Sequence, residues 1–340
     1  MHSRLVSTLA CLSALGSAAF VAAQTPVAPA ELRKRHNPVI DLLEQGKPVF
    51  GLYAPSNRRF NPPGAPTPSP APPKTPLELA TSAVAYKSAD YIFDGSMEGD
   101  FEKAYPEFAT FTKAMTEAGV LAKTPVLRLT HPLVVKMTEI AADPVKAIER
   151  IGRQLDLGVS GVVFVGVESA DEVKTGLSAM RYRKNGGTRG DSVGSAPAFW
   201  GMTEKEYREK ADLWPLNPKG ELMNWTIVES KEGLAHVREI AAVKGISVLF
   251  PGAGTLRGVF SSTNDKGERV VDTEAWEAAI QQLLAACKEF KVACGYPARA
   301  EDIEMRMKQG FSVFVINWGE PGFKTIEIGR RAAGRPATNP

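Results

Sequence analysis

Charged and imidazole side chains stand directly after short apolar, β-branched runs at Asp94, Arg128, His131, Glu168 and Glu229, and Gly252, Ala253, Gly254 and Thr255 follow another such run. An unpaired charge beside buried apolar chain is expensive, so these positions mark either a site or structural ion pairs. The Arg128 guanidinium is a planar fork that matches a carboxylate. Glu168 and Glu229 end neighbouring runs, and two carboxylates so placed can share a hard divalent ion such as Mg²⁺ or Mn²⁺. His131 is a candidate acid or base near neutral pH. No Ser/His/Asp order, zinc-type cysteine spacing or P-loop accompanies them. Trp200, Trp214, Trp225, Trp276 and Trp318 are scattered and read mostly as packing.

These side chains converge only if the runs before them are parallel strands. Strands are expected at 49–54, 91–94, 125–130, 162–167, 224–229, 246–250, 292–295 and 312–316. Amphipathic helices are expected at 77–86, 101–118, 144–155, 170–180, 231–242, 274–290, 300–309 and 320–332. Eight strands each followed by a helix predict a closed (β/α)₈ barrel, with an open doubly wound sheet as the alternative. Asp143-Pro144 supplies an N-cap and a first-turn proline, and Gly119, Gly158, Gly245 and Gly310 fall where helices should end. A short helix at 37–45 would close the base. Three insertions, at 55–76, 181–221 and 252–272, each follow a strand and so belong to the carboxyl face, where barrels build sites.

Composition narrows the class. Of 340 residues 44% are hydrophobic and 23% charged, as in ordinary globular chains, which excludes wholesale disorder and a polytopic membrane protein. A net charge of +3 over this length supplies no basic field for nucleic acid. Residues 1–23 carry one early cation, an apolar stretch and small residues before Gln24, which predicts a secretory signal peptide, an exported location and no membrane attachment after cleavage. Residues 24–36 then form a linker, 37–332 the barrel and 333–340 a tail. Nine prolines lie between Pro55 and Pro76, predicting an extended tract that serves as a lid or subunit contact, or else a loop with no fold of its own. The mature chain keeps Cys287 and Cys294, as a disulfide or as two buried thiols.

A set of stretches spans about 37–330: Asn37-Pro38 with Gly46-Lys47-Pro48-Val49-Phe50-Gly51, Asp90-Tyr91-Ile92-Phe93-Asp94-Gly95, Pro125-Val126-Leu127-Arg128 and Gln154-Leu155-Asp156-Leu157-Gly158. Ser169-Ala170-Asp171-Glu172-Val173, running through Arg181-Tyr182 to Gly187-Thr188-Arg189-Gly190, is the strongest, followed by Ile227-Val228-Glu229 and Gly310-Phe311-Ser312-Val313-Phe314. In these the chain resembles the HpcH/HpaI aldolase family, the metal-dependent 2-oxo-acid aldolases that include the citrate lyase β subunit. The resemblance implies a carbon–carbon lyase acting on a pyruvate-type enolate, with a divalent ion polarising the carbonyl and fixed positive charge opposite the enolate. Position by position it implies Glu229 as metal ligand, Arg128 as the enolate-stabilising cation and Asp156 as the aspartate of an Asp-His dyad. It also implies a homo-oligomer, a hexamer built from trimers. From their place after a strand, Gly252-Ala253-Gly254 are expected to bind substrate, with Arg128 on its carboxylate.

Two family positions depart from the pattern. Pro251-Gly252-Ala253-Gly254 replaces Gly-Pro-Ala-Asp, leaving glycine where the second metal ligand belongs. Ser96-Met97 replaces Glu-His, with Glu98 next, so the acid/base histidine is absent. The expectation is that Glu168 substitutes as metal ligand, and His131 or Glu98 as acid/base. A barrel that only binds a small carboxylate, or runs another reaction on the same scaffold, is the alternative.

Overall fold

The computed structural model describes residues 35–57, 72–123 and 126–337. The expected signal peptide, nearly all of the linker, most of the proline-rich tract and the end of the tail lie outside the described residues.

Eight parallel strands close on themselves: β1 Val49–Tyr53, β2 Tyr91–Asp94, β3 Leu133–Lys136, β4 Gly161–Phe164, β5 Leu222–Val228, β6 Val248–Pro251, β7 Ala293–Pro297 and β8 Val313–Ile316. Each pairs with its neighbours in chain order, and β1 pairs with β8 through Val49↔Val313 to complete the cylinder. The fold is a (β/α)₈ barrel. Helices α1 Pro38–Glu44, α2 Pro76–Ala85, α3 Phe101–Glu117, α4 Pro144–Asp156 and α5 Ala170–Met180 occupy the first half, and α1 precedes β1 as expected. Asn37 caps α1 by accepting the Val39 N–H, and Asp143 caps α4 by accepting that of Lys146 with Pro144 at its start. Such caps contribute about 1 kcal/mol each, which is why local sequence marks these boundaries well. Gly119, Gly158, Gly245 and Gly310 all take positive φ after helices or turns.

Alternation along the strands fills the interior. Val49, Tyr91, Phe93, Val134, Val163, Met223, Trp225, Val248, Phe250, Val313 and Val315 form one cluster inside the cylinder, separate from the larger cluster between strands and helices. Large residues fit because small ones face them: a Cβ on Gly51 would stand 2.1 Å from the Tyr91 ring, and one on Gly295 would stand 2.0 Å from that of Phe250. Trp225 lies between the Tyr91 ring at 5.3 Å and the Phe250 ring at 6.1 Å.

The third strand is not where the sequence placed it. Within 125–130, Arg128–Leu129 only pairs antiparallel with Leu121–Ala122, outside the barrel. The barrel strand is Leu133–Lys136, which pairs parallel with β2 and β4. A strand buried on both faces favours apolar residues at successive positions and has no room for an unpaired charge. Leu133-Val134-Val135 meets that demand, with Val134 inside and its neighbours facing helices, whereas Arg128 and Thr130 break the earlier run.

The second-half insertion holds α6 Ala196–Trp200 and α7 Glu204–Lys210. Beyond β5 come α8 Lys231–Ala235 and α9 Val237–Ala241, and after β6 follow α10 Ala253–Val259 and a hairpin, Ser261–Thr263 with Arg269–Val271. Helices α11 Thr273–Phe290, α12 Ile303–Gln309 and α13 Glu320–Ala332 complete the ring. Cys287 at the end of α11 and Cys294 in β7 form a disulfide, which resolves the two alternatives left by the sequence.

Candidate active site

A cavity of about 410 Å³ opens at the carboxyl end of the barrel. Its floor is the aromatic interior, Phe93, Trp225 and Phe250, and its rim carries Lys136, Glu229, Arg257, Arg299, Asp302 and Asn317. The Gly252–Thr255 segment lines it where β6 turns into α10, so this part of the expected site stands at the mouth together with Glu229.

Glu229 directly follows β5, and its Oε1 accepts the N–H of Gly166 at 3.0 Å. Gly166 holds φ +60°, a backbone conformation that glycine adopts without strain. On its other side Glu229 packs against Gly252, where a Cβ would come within 2.3 Å of Glu229 Cβ and 2.4 Å of Oε2. The carboxylate is thus wedged between two glycines.

Because β3 runs from 133 to 136, the residue that ends it is Lys136. Its Nζ lies 2.8 Å from both carboxylate oxygens of Glu98, and its carbonyl accepts Gln154 Nε2 at 3.0 Å, which fixes the strand end. Tyr53, the last residue of β1, lines the same cavity. Gly95 sits between the two: a Cβ there would be 3.7 Å from Lys136 Cδ and 3.7 Å from Tyr53 Cε1. Burial, reinforced by the charges of Glu98 and Asp94, pushes the Tyr53 phenol up to about 12, so it stays protonated and able to donate. Across the cavity Asp302 Oδ1 accepts the Arg299 N–H at 2.7 Å, and burial raises the Asp302 carboxyl.

Four expected site residues lie elsewhere. Arg128 precedes β3 and is exposed on the amino side of the barrel, beside Asp41 of α1, and it does not reach the cavity. His131 also precedes β3 and is 1% exposed, with Nε2 3.0 Å from the Tyr86 carbonyl and Nδ1 3.0 Å from Thr130 Oγ1. Burial pushes it down to about 4, so it is a neutral packing residue. Both displacements follow from the strand register: residues expected at the carboxyl end of a strand stand before its amino end. Asp156 ends α4 and accepts from Arg189 at 3.0 Å and Ser192 Oγ at 2.5 Å, away from the cavity. Glu168 is exposed and turned outward, accepting Ser230 Oγ at 2.6 Å, so it does not share a ligand with Glu229.

The pairing of Glu98 with Lys136 was legible only in part. Glu98 is the expected substitute for the missing histidine, whereas the signal for Lys136 is only that Pro132 followed by Leu133-Val134-Val135 is a strand start with a cation at its end. The divalent ion that the resemblance implies finds little here. Gly254 stands where the second ligand belongs and its Cβ direction is open space, and among the described residues no group of three His, Cys, Asp or Glu side chains gathers to hold a metal. A lysine ammonium shares the cavity with Glu229. The other rim carboxylate, Asp302, accepts the Arg299 N–H and is raised by burial, so it does not stand as a ready partner for Glu229 around a chelated ion.

Fold and site together define a (β/α)₈ barrel with a small cavity at the carboxyl end, aromatic at its floor and charged at its rim. Residues 120–322 match the family described as HpcH/HpaI aldolase/citrate lyase, and the chain belongs to that family. It is 31% identical over 173 residues to a hydroxypyruvate/pyruvate aldolase of Delftia acidovorans, an alignment covering 51% of this chain and 57% of that protein. It is 29% identical over 177 residues to a 2-dehydro-3,6-dideoxy-6-sulfogluconate aldolase of Pseudomonas putida, covering 52% and 62% respectively. The chain therefore spans less than two thirds of the length of these relatives. Among solved structures, an HpcH/HpaI aldolase/citrate lyase family protein of Burkholderia cenocepacia superposes with a TM-score of 0.61 at 20% identity, covering 83% of this chain and 92% of that one. That likeness concerns the fold.

Proposed function

We propose that the chain is a carbon–carbon lyase that makes or breaks the bond next to the carbonyl-bearing unit of a small 2-oxo acid, and that it acts after export. The observation that carries this is the meeting, around one cavity, of Glu229 with Lys136, which is itself paired to Glu98. A volume of about 410 Å³ suits a small-molecule ligand. The relatives' names, which include aldolases of pyruvate and hydroxypyruvate, point to the same substrate class.

Aldol cleavage needs three things of the protein. Arg257 and Arg299 on the rim supply charge for the substrate carboxylate. Lys136 places a cation where the enolate develops, in a cavity whose apolar floor strengthens the interaction. Glu229, oriented by the Gly166 N–H, is the base for the hydroxyl whose proton must leave as the bond breaks. Export is supported by the apolar segment within residues 1–23 and by the Cys287–Cys294 disulfide, which suits an oxidising compartment.

The test is to incubate the purified protein with pyruvate or hydroxypyruvate and short aldehydes, and to follow condensation and cleavage with and without EDTA. Saturable turnover insensitive to the chelator is expected. Pyruvate binding without turnover towards any aldehyde would refute the lyase and leave the carboxylate-binding barrel in its place.

A further inference from the structure

We propose that Tyr53 is a catalytic residue whose phenol donates a hydrogen bond to the carbonyl oxygen of the 2-oxo acid as that oxygen takes on the enolate charge. The inference rests on the 2-oxo-acid lyase proposed above and deepens it.

Tyr53 stands apart from the other tyrosines in what its hydroxyl meets. Tyr86, Tyr91, Tyr105 and Tyr207 each donate to a backbone carbonyl, at 2.6 to 3.3 Å. The Tyr296 hydroxyl accepts from Arg306 at 3.1 Å, and that of Tyr182 is sealed in packing. The Tyr53 hydroxyl has no hydrogen-bond partner among the described residues and is not sealed from solvent. Its residue ends a barrel strand and lines the cavity, so this donor is left for whatever the cavity holds.

The ring is held in place. Phe93 meets it edge-on with centroids 5.0 Å apart, and just beyond it the Ala54 N–H donates to the Phe93 carbonyl at 2.7 Å. The point that a Cβ would take on Gly95 is 3.7 Å from Tyr53 Cε1 and 3.7 Å from Lys136 Cδ, so the phenol ring and the lysine stem border one gap that glycine leaves open. The Lys136 ammonium has three N–H donors, and the two Glu98 oxygens at 2.8 Å take two of them, which leaves one. Ammonium and phenol can therefore meet one oxygen between them, while the ligand's carboxylate is left to Arg257 and Arg299 on the rim. Burial holds the phenol at about 12, so it donates without ionising.

In cleavage the C3–C4 pair moves to C2–C3, and the carbonyl π pair moves to oxygen. That oxygen accepts from the phenol, which keeps its own proton throughout, and the charge leaves it again when a proton adds at C3. A donor of this kind acts on charge that develops during the reaction, so it lowers the barrier far more than it tightens binding of the ketone.

The experiment uses the full chain and Y53F, which removes the hydroxyl alone. Entry of deuterium at C3 of pyruvate in D₂O, followed by NMR, reports enolate formation with no aldehyde present; calorimetry gives the pyruvate Kd, and cleavage assays give kcat and KM. In Y53F, exchange and kcat should each fall about 10²-fold, with Kd and KM within about threefold and the melting temperature retained. Exchange or turnover within about threefold of the native chain overturns the role of Tyr53 and leaves the lyase standing. A rise in Kd as large as the loss in rate overturns it too, since Tyr53 would then be an ordinary binding residue. Exchange that depends on Tyr53 without turnover towards any aldehyde refutes the lyase and supports the donor. A native chain that neither exchanges nor turns over removes both proposals.

Discussion

Gly252→Ala tests whether Glu229 is the working base. The added methyl would stand 2.3 Å from Glu229 Cβ and 2.4 Å from Oε2, whereas ordinary contact begins near 3.4 Å. About 1 Å must therefore be found, and because Glu229 Cβ is the root of the side chain the adjustment cannot be confined to the carboxylate tip. The carboxylate loses its 3.0 Å bond from the Gly166 N–H, or the turn into α10 shifts. Misplacement of a reacting group by about 1 Å costs on the order of 10²-fold in rate. Overpacking of this kind destabilises by about 1–3 kcal/mol, which leaves the barrel folded. The measurement is kcat/KM for aldol cleavage beside a thermal melt. The expected result is a fall of about 10²-fold with a cooperative transition preserved. Native turnover in a correctly folded Gly252→Ala chain would refute the role given to Glu229.

Arg128→Ala should leave kcat/KM within about twofold of the native chain, since the side chain is exposed on the amino side of the barrel; a large loss would restore Arg128 to the site. Trp225→Ala should destabilise by about 3–5 kcal/mol in urea unfolding, because the indole is fully buried among Tyr91, Phe93 and Phe250. His131 is held near 4 when folded against an ordinary 6.5, so the unfolded chain binds the proton more readily. Its contribution is then fully present above about 6.5 and is lost as pH falls through the window towards 4. Urea titrations across that range should show falling stability, and His131→Asn should flatten the slope; an unchanged slope would mean that His131 does not titrate as buried.

Much of the site's framework was legible because it is local. Glu229 and Gly252–Gly254 directly follow short, mostly apolar and β-branched runs, so their place at the carboxyl end follows from strand period alone. Caps such as Asp143-Pro144 announced helix starts within a few residues. The misplaced third strand shows the limit. Two apolar runs, 125–130 and 133–136, compete for one slot between β2 and β4, and only packing against both neighbours and the helices decides which is buried. That choice carried Arg128 and His131 to the amino end and brought Lys136 to the mouth.

The amino-acid sequence by itself determined a family member built as a closed parallel barrel, with one glutamate at the carboxyl rim and glycine where a second carboxylate belongs. Those features depend on neighbours a few residues apart. Only the tertiary structure decided which side chains meet. Lys136 and Glu98 are 38 residues apart, Glu229 and Gly166 are 63 apart, and neither pair leaves a mark in local periodicity. The contacts exist because a closed sheet brings every strand end to one opening, and a shift of a few residues in one strand changes which charge arrives there.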